Sequence, residues 1–252
     1  MHVDMRGDVT ILVYVISALL LAGGQGTRLR SLYPNLPKPM VPVAGRPFLE
    51  WMLHYLAAQG IGSAVISTGH LANVIEEHFA AHPGPIPVQC VKEAQPLGTG
   101  GAVRYAIAQA DIGDPFLVAN ADSLVMADLA PALQAMEEPG IDGAILGVAM
   151  DDASRYGTLD EADGWLRGFH EKRPGAGVIN AGVYVFRRKL FDRWLEGAAF
   201  SMETEAFPAM LASGARIRTV VCRADFLDIG TPESFRLADD FIGRNFAPLA
   251  TK

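Results

Sequence analysis

The residues of this chain best equipped for chemistry lie near its start. An apolar run, Ile16 to Leu21, opens into Ala22-Gly23-Gly24-Gln25-Gly26-Thr27-Arg28, and Pro37-Lys38-Pro39 follows. Glycine lets the backbone turn tightly and approach a ligand with no Cβ in the way. Successive freed N–H groups form a concave anion site. Arg28 and Lys38 add a planar fork and a mobile ammonium beside it. Proline on both sides of Lys38 forbids helix and fixes an extended path, so the lysine is expected on a stiff segment. Together these groups can hold a triphosphate on a loop. The loop is not a Walker loop, because Gly-Lys-Ser/Thr is absent. Nor is it a dinucleotide fingerprint, because Gly24-Gln25-Gly26 has no third glycine in register.

Other candidates are scattered along the chain. Asp122, in Asn120-Ala121-Asp122, ends an apolar strand, where a hard cation would find carboxylate oxygen; the lesser alternative is a turn aspartate capping the next helix. Pro96-Leu97-Gly98-Thr99-Gly100-Gly101-Ala102 is a second glycine loop opening a helix. It is either an ordinary helix start or a backbone that can edge up to a purine and read it through N–H and C=O groups. Phe169-His170-Glu171-Lys172 ends an alternating segment with a carboxylate suited to sugar hydroxyls and an ammonium suited to phosphate, or with a solvated ion pair. Asp228 precedes a helix start at Thr231-Pro232 and reads equally as a turn residue. Glu203 and Glu205 open a helix, where acids are favourable in any case.

LAGGxGTRL followed by LPKPMVPVAGRPFLEW resembles the sugar-1-phosphate nucleotidyltransferase family, and within it the heptose 1-phosphate guanylyltransferases. Matching blocks run in order from about residue 16 to 242. The resemblance implies transfer of a nucleotidyl group, GMP from GTP, to D-glycero-alpha-D-manno-heptose 1-phosphate, giving GDP-heptose and pyrophosphate. Mannose 1-phosphate with GTP, or N-acetylmuramate 1-phosphate with UTP, are the alternatives, and a non-catalytic nucleotide-sugar-binding regulator is the rival of another class. The resemblance assigns Leu21, Ala22, Gly23, Gly24, Gly26, Thr27, Arg28, Asn120 and Asp122 to the nucleotide, with Glu93, Pro96, Gly98 and Thr99 lining the base pocket. Tyr156, Gly157, Glu171, Lys172, Asn180, Gly182 and Glu203 fall to the sugar phosphate. Mg²⁺, with Mn²⁺ an acceptable substitute, falls to Asp122 and Asp228. Arg28, Lys38 and Lys172 are the expected catalytic cations. The residue before Asp122 is usually glycine in the family and here is Ala121, whose methyl would crowd the nucleotide slightly.

Such groups need a rigid frame. Strands at Ile16–Leu21, Ala64–Ser67, Pro87–Val91, Phe116–Ala119 and Gly143–Met150 alternate with helices at Pro47–Gln59, Leu71–Phe79 and Gly101–Gln109. That alternation implies right-handed crossovers and a largely parallel sheet covered on both faces. Thr158–Leu159 and Leu166–Glu171 flank Asp163-Gly164, a hairpin signal; Val178–Arg187 is a strand, with helices expected at Lys189–Leu195, Glu203–Ala212 and Pro232–Asn245 and a strand at Arg216–Val221. The expected fold is α/β, a Rossmann-like three-layer α/β/α arrangement with a mainly parallel, mixed central sheet. Residues 1–15 read as an extension and 16–252 as one domain, with a nucleotide part over about 16–125 and a sugar-phosphate part over about 126–230. No hexapeptide repeat follows.

With 252 residues, half of them hydrophobic, one sizeable core is attainable. A net charge of −7 with no basic cluster argues against a nucleic-acid partner. Cys90 and Cys222 give neither a metal spacing nor a disulfide framework, which fits a reducing compartment. The histidines read as surface or packing residues. The apolar run Val9–Ala22 is too short to span a bilayer and lacks the flanks of a signal peptide. A cytoplasmic protein with no membrane partner is expected; homo-oligomerisation stays open.

Overall fold

A computed structural model describes residues 16–170, 172 and 174–246, together with the short strands His2–Val3 and Val9–Thr10. Those two strands pair antiparallel; the rest of the expected 1–15 extension, and Glu171, lie outside the described residues.

Val88–Lys92, Ser63–Thr68, Ser17–Leu21 and Phe116–Asn120 form the parallel half of the sheet, in that order. Gly177–Phe186 joins antiparallel to Phe116–Asn120, and Gly143–Met150 joins antiparallel to Gly177–Phe186. Ile217–Cys222 runs parallel to Gly143–Met150. The hairpin Thr158–Ala162/Trp165–His170 attaches at this end, through Thr158 opposite Ile179 and Trp165 opposite Arg218. Nine strands thus make one mixed sheet.

Each buried strand feeds two cores, because successive side chains point to opposite faces. Ala18 and Leu20 pack with Trp51 and Leu53 of the helix Phe48–Ala58; Leu19 packs with Val103 and Ile107 of Gly98–Gln109. That is the three-layer architecture expected. Full burial of a large apolar side chain contributes about 1.5–3 kcal/mol, and the polar tips on the first helix are satisfied. Trp51 donates to the Val43 carbonyl at 2.9 Å and Tyr55 to the Ala127 carbonyl at 2.8 Å.

Several local expectations are corrected. Lys38 does not lie on an extended path: Pro37 is extended, but Lys38–Met40 is a 3-10 turn. Proline is tolerated in a first turn because its missing N–H would have no partner there. Lys189–Leu195 is not a helix but a 3-10 turn over Arg188–Phe191. Arg188 pins it, donating to the carbonyls of Ile112 and Ile107 at 2.9 and 3.2 Å. The helix expected over Glu203–Ala212 opens with a wide π turn, Met202–Ala206, before Phe207–Ala212. Pro232–Asn245 is two helices, Pro232–Phe235 and Ala238–Asn245. Asp163 and Gly164 both take positive φ, 55° and 76°, as a two-residue hairpin turn requires. His78 and His82, one turn apart, stack at 4.8 Å, and His78 Nε2 meets Glu50 at 2.7 Å.

Candidate active site

Ligands of open α/β sheets gather beyond the carboxyl ends of the strands. Leu21 and Asn120 end neighbouring parallel strands in register, and the Ala121 N–H donates to the Leu21 carbonyl at 3.2 Å. The glycine loop and the Asn120–Asp122 turn therefore open into one cavity of about 480 Å³. Its walls include Leu21, Ala22, Gly24, Gly26, Thr27 and Arg28 from the loop, then Lys38, Asn120 and Asp122. Tyr156, Asn180, Gly182 and Asp228 close it from the other half of the chain. Buried Leu29 anchors the loop, while Arg28 is exposed. Gly26 takes φ +57°, and a Cβ there would stand 3.1 Å from Lys38 Cβ. Ala121 is fully buried among core residues and does not line the cavity.

A pairing that the sequence analysis missed brings the two aspartates together. Ser123–Val125 and Phe226–Asp228 form a short antiparallel ladder, with Asp228 opposite Ser123. Lys38 Nζ lies 2.6 Å from Asp122 Oδ2 and 3.7 Å from Asp228 Oδ1. Burial, then the neighbouring Asp122 charge, raises the Asp228 carboxyl above the usual range; Lys38, the Gly230 N–H at 2.6 Å and Arg155 pull the other way. The Lys38 ammonium, lying against both carboxylates, already offsets part of their mutual repulsion. Among the described residues no third His, Cys, Asp or Glu joins them in a metal-binding group. Two hard oxygen donors with the remaining positions left to water and phosphate is the pattern Mg²⁺ takes. The residues therefore fit a divalent cation shared with a phosphate ligand.

A second cavity adjoins the first through Tyr156 and Asn180, and Gly157, Arg167, His170 and Glu203 line it further out. Gly182, at φ +69°, must lack a Cβ because one would stand 2.5 Å from Asn120 Nδ2. Its N–H donates to Asn180 Oδ1 at 3.0 Å, and Asn180 Nδ2 donates to the buried Tyr184 hydroxyl at 2.8 Å. Lys172 is exposed just past the Trp165–His170 strand.

The base-pocket candidates stand apart from both cavity walls. Glu93 is buried behind Gly23, with Oε1 accepting from Ser67 Oγ at 2.8 Å and Oε2 from the Leu97 N–H at 3.1 Å. Burial raises its carboxyl, which these two bonds partly offset. Neither cavity is lined by Pro96, Gly98 or Thr99. The glycines of that loop answer to Phe200: Gly100 and Gly101 donate to its carbonyl at 3.0 and 3.2 Å, and a Cβ on Gly98 would stand 2.6 Å from the same oxygen. Arg155, beside Tyr156 in the Ser154–Gly157 segment that resembles the family's pocket wall, acts on Asp228 through its charge. One further residue escaped the motifs: Gly69 packs on the Gly23 backbone, and only its place after the Ser63–Thr68 strand could have signalled it.

The family model described as nucleotidyl transferase matches residues 17–245. The chain belongs to that family. A mannose-1-phosphate guanylyltransferase of Mycobacterium tuberculosis is 37% identical over 92% of this chain, which spans 66% of the relative's length. A D-glycero-alpha-D-manno-heptose 1-phosphate guanylyltransferase of Aneurinibacillus thermoaerophilus is 32% identical over 88% of this chain and 96% of its own. Among solved structures, HddC from Yersinia pseudotuberculosis complexed with GMP-PN superposes with a TM-score of 0.80 at 33% identity, covering 90% of this chain and 99% of that one. A nucleotidyl transferase needs a phosphate-holding loop, cations and a second subsite facing one crevice, and the two adjoining cavities supply that plan. No helix among the described residues is long and apolar enough to cross a membrane.

Proposed function

We propose that this nucleotidyl transferase is a guanylyltransferase that joins GMP from GTP to a sugar 1-phosphate, with D-glycero-alpha-D-manno-heptose 1-phosphate as the acceptor. The observation that carries the reading is Lys38, held between Asp122 and Asp228 where the glycine loop meets the sugar-side strands. The acceptor is already ionised, so no strong general base is needed. One of its phosphate oxygens attacks the α-phosphorus in line, and the bond to pyrophosphate breaks. The barrier lies in charge repulsion and alignment, which positioned cations lower.

The glycine loop from Leu21 to Arg28 holds the triphosphate, together with Asn120 in the same wall. Arg28 stabilises the departing pyrophosphate. Lys38 stabilises the α-phosphate as negative charge builds, and Lys172 receives the incoming sugar phosphate. Tyr156, Gly157, Glu171, Asn180, Gly182 and Glu203 orient the sugar. A divalent cation, Mg²⁺ or Mn²⁺ in its place, held by Asp122 and Asp228, would neutralise charge on the phosphate oxygens. On this plan the nucleotide half is about 16–125 and the sugar-phosphate half about 126–230. Two free cysteines support a cytoplasmic setting.

The heptose reading rests on coverage: two heptose enzymes align over 96% and 97% of their own length at 32% identity. Mannose 1-phosphate is the second reading, favoured by the 37% identity of the mycobacterial relative. The test is pyrophosphate release with Mg²⁺, crossing each common nucleoside triphosphate with heptose, mannose and N-acetylmuramate 1-phosphates. Release confined to GTP with the heptose phosphate is expected. A preference for mannose 1-phosphate replaces the acceptor, and silence with ligand still bound removes the enzymatic reading.

A further inference from the structure

We propose that Thr99 is a positioning residue for the sugar-phosphate subsite: from the first turn of the Gly98–Gln109 helix it holds Glu203 through a hydrogen bond and does not read the base. The proposal rests on the guanylyltransferase reading for the identity of the ligands. Thr99 sits in the loop that resembles a base pocket, yet it lines neither cavity and its one O–H is already committed to Glu203. It donates to Glu203 Oε2 at 3.2 Å and accepts from the Met202 N–H at 2.8 Å. The loop carrying it is fastened to the same neighbour. Gly100 and Gly101 donate to the Phe200 carbonyl, and the Phe200 N–H donates to Leu97 at 2.9 Å. Residues 97–101 and 200–203 are therefore tied to each other by backbone and side-chain hydrogen bonds.

Glu203 is the member of that group that reaches the acceptor side. Its Oε2 also takes the Ser201 hydroxyl at 3.2 Å, and its carboxylate faces the wholly buried Tyr184 hydroxyl, whose other partner is Asn180. Glu203 and Asn180 line the outer cavity together. A hydroxyl fixed on the nucleotide-side helix thus sets the rotamer of a carboxylate in the sugar-side wall. A charge-assisted bond of this kind is worth more than a neutral one, and its loss frees a side chain that must be ordered to bind.

Thr99→Val keeps the shape and removes both bonds. The expected result in steady-state pyrophosphate release is a rise of about tenfold in KM for the sugar 1-phosphate. KM for GTP should stay within about twofold, and Thr99→Ser should restore the wild-type value. The Thr99→Val/Glu203→Ala double variant should be no weaker than Glu203→Ala alone, since each change removes the Thr99–Glu203 bond. Thr99→Ala, which adds no atom, is read the same way if the valine variant does not fold. A rise in KM for GTP instead, a serine that does not rescue, or two effects that add would overturn the proposal. Active wild type with Thr99→Val unchanged overturns this inference alone; wild type that releases no pyrophosphate overturns it together with the functional reading.

Discussion

Gly69 lies outside the motifs described above, yet alanine there should damage the phosphate loop. A Cβ on residue 69 would stand 2.8 Å from the Gly23 carbonyl oxygen and 3.1 Å from Gly23 Cα. Both are backbone atoms, so no rotamer relieves the contact. Restoring ordinary van der Waals distance moves the loop by roughly half an ångström, at the 1–3 kcal/mol typical of overpacking. The loop has little room to yield. The Ala22 N–H is bonded to the Ser67 carbonyl at 2.9 Å, and behind Gly23 stands Glu93, whose Oε1 would lie 2.7 Å from any Cβ on residue 23. For a chain of this size about 2–4 °C of melting temperature goes with each kcal/mol, so Gly69→Ala should melt several degrees early. A displacement of that size in a group that holds substrate costs about tenfold in kcat/KM for GTP. Thermal melts and pyrophosphate release with varied GTP read both effects. Gly243→Ala is the control, because no atom of the described residues lies within 4 Å of its Cβ in the helix Ala238–Asn245, and it should gain about 0.5–1 kcal/mol. A Gly69→Ala protein with wild-type melting and wild-type KM for GTP would refute the packing argument.

Three more outcomes follow from the same geometry. Lys38→Met should lower kcat/KM by about a hundredfold or more, as loss of a charge-stabilising donor does; near-normal turnover in pyrophosphate release removes Lys38 from the chemistry. Glu93→Gln should alter the pH dependence of stability. Burial holds the Glu93 carboxyl above its usual 4.5, so the native state binds its proton more tightly than the unfolded chain. Wild-type stability therefore falls as pH rises from 4.5 through the folded value, and is level above it. The variant lacks this loss, so its melting temperature relative to wild type should climb across that interval; a flat difference contradicts the account. Thr219 carries a buried hydroxyl with no hydrogen-bond partner among the described residues, so Thr219→Val should raise stability by about 1 kcal/mol in a denaturant titration.

The parallel half of the fold was legible because its signals are local. Apolar runs of strand length alternate with helical periodicity, and Gly23 to Arg28 announces a ligand where the first strand ends. The site was legible one side at a time. Nothing in the spacing of Asp122 and Asp228 says that they meet, since their meeting depends on Ser123–Val125 pairing with Phe226–Asp228. Strands of three residues carry too short an alternation to be seen. The helix expected at Lys189–Leu195 failed because tertiary bonds from Arg188 overrode local propensity. The glycines at 98, 100 and 101 look like ligand-binding glycines in sequence, yet in the fold their neighbours are Phe200 and Ala198. Glycine marks a close approach without saying what approaches.

The central claim is a single displacement at the α-phosphorus by a sugar 1-phosphate. The most direct test is one turnover with GTP labelled at the α-phosphorus, excess enzyme, Mg²⁺ and heptose 1-phosphate, followed by denaturation and separation of protein, nucleotide sugar and inorganic products. The account predicts all transferred label in the nucleotide sugar, an equal amount of pyrophosphate, and none on the protein. Label retained on the denatured chain, or orthophosphate released in place of pyrophosphate, would contradict it.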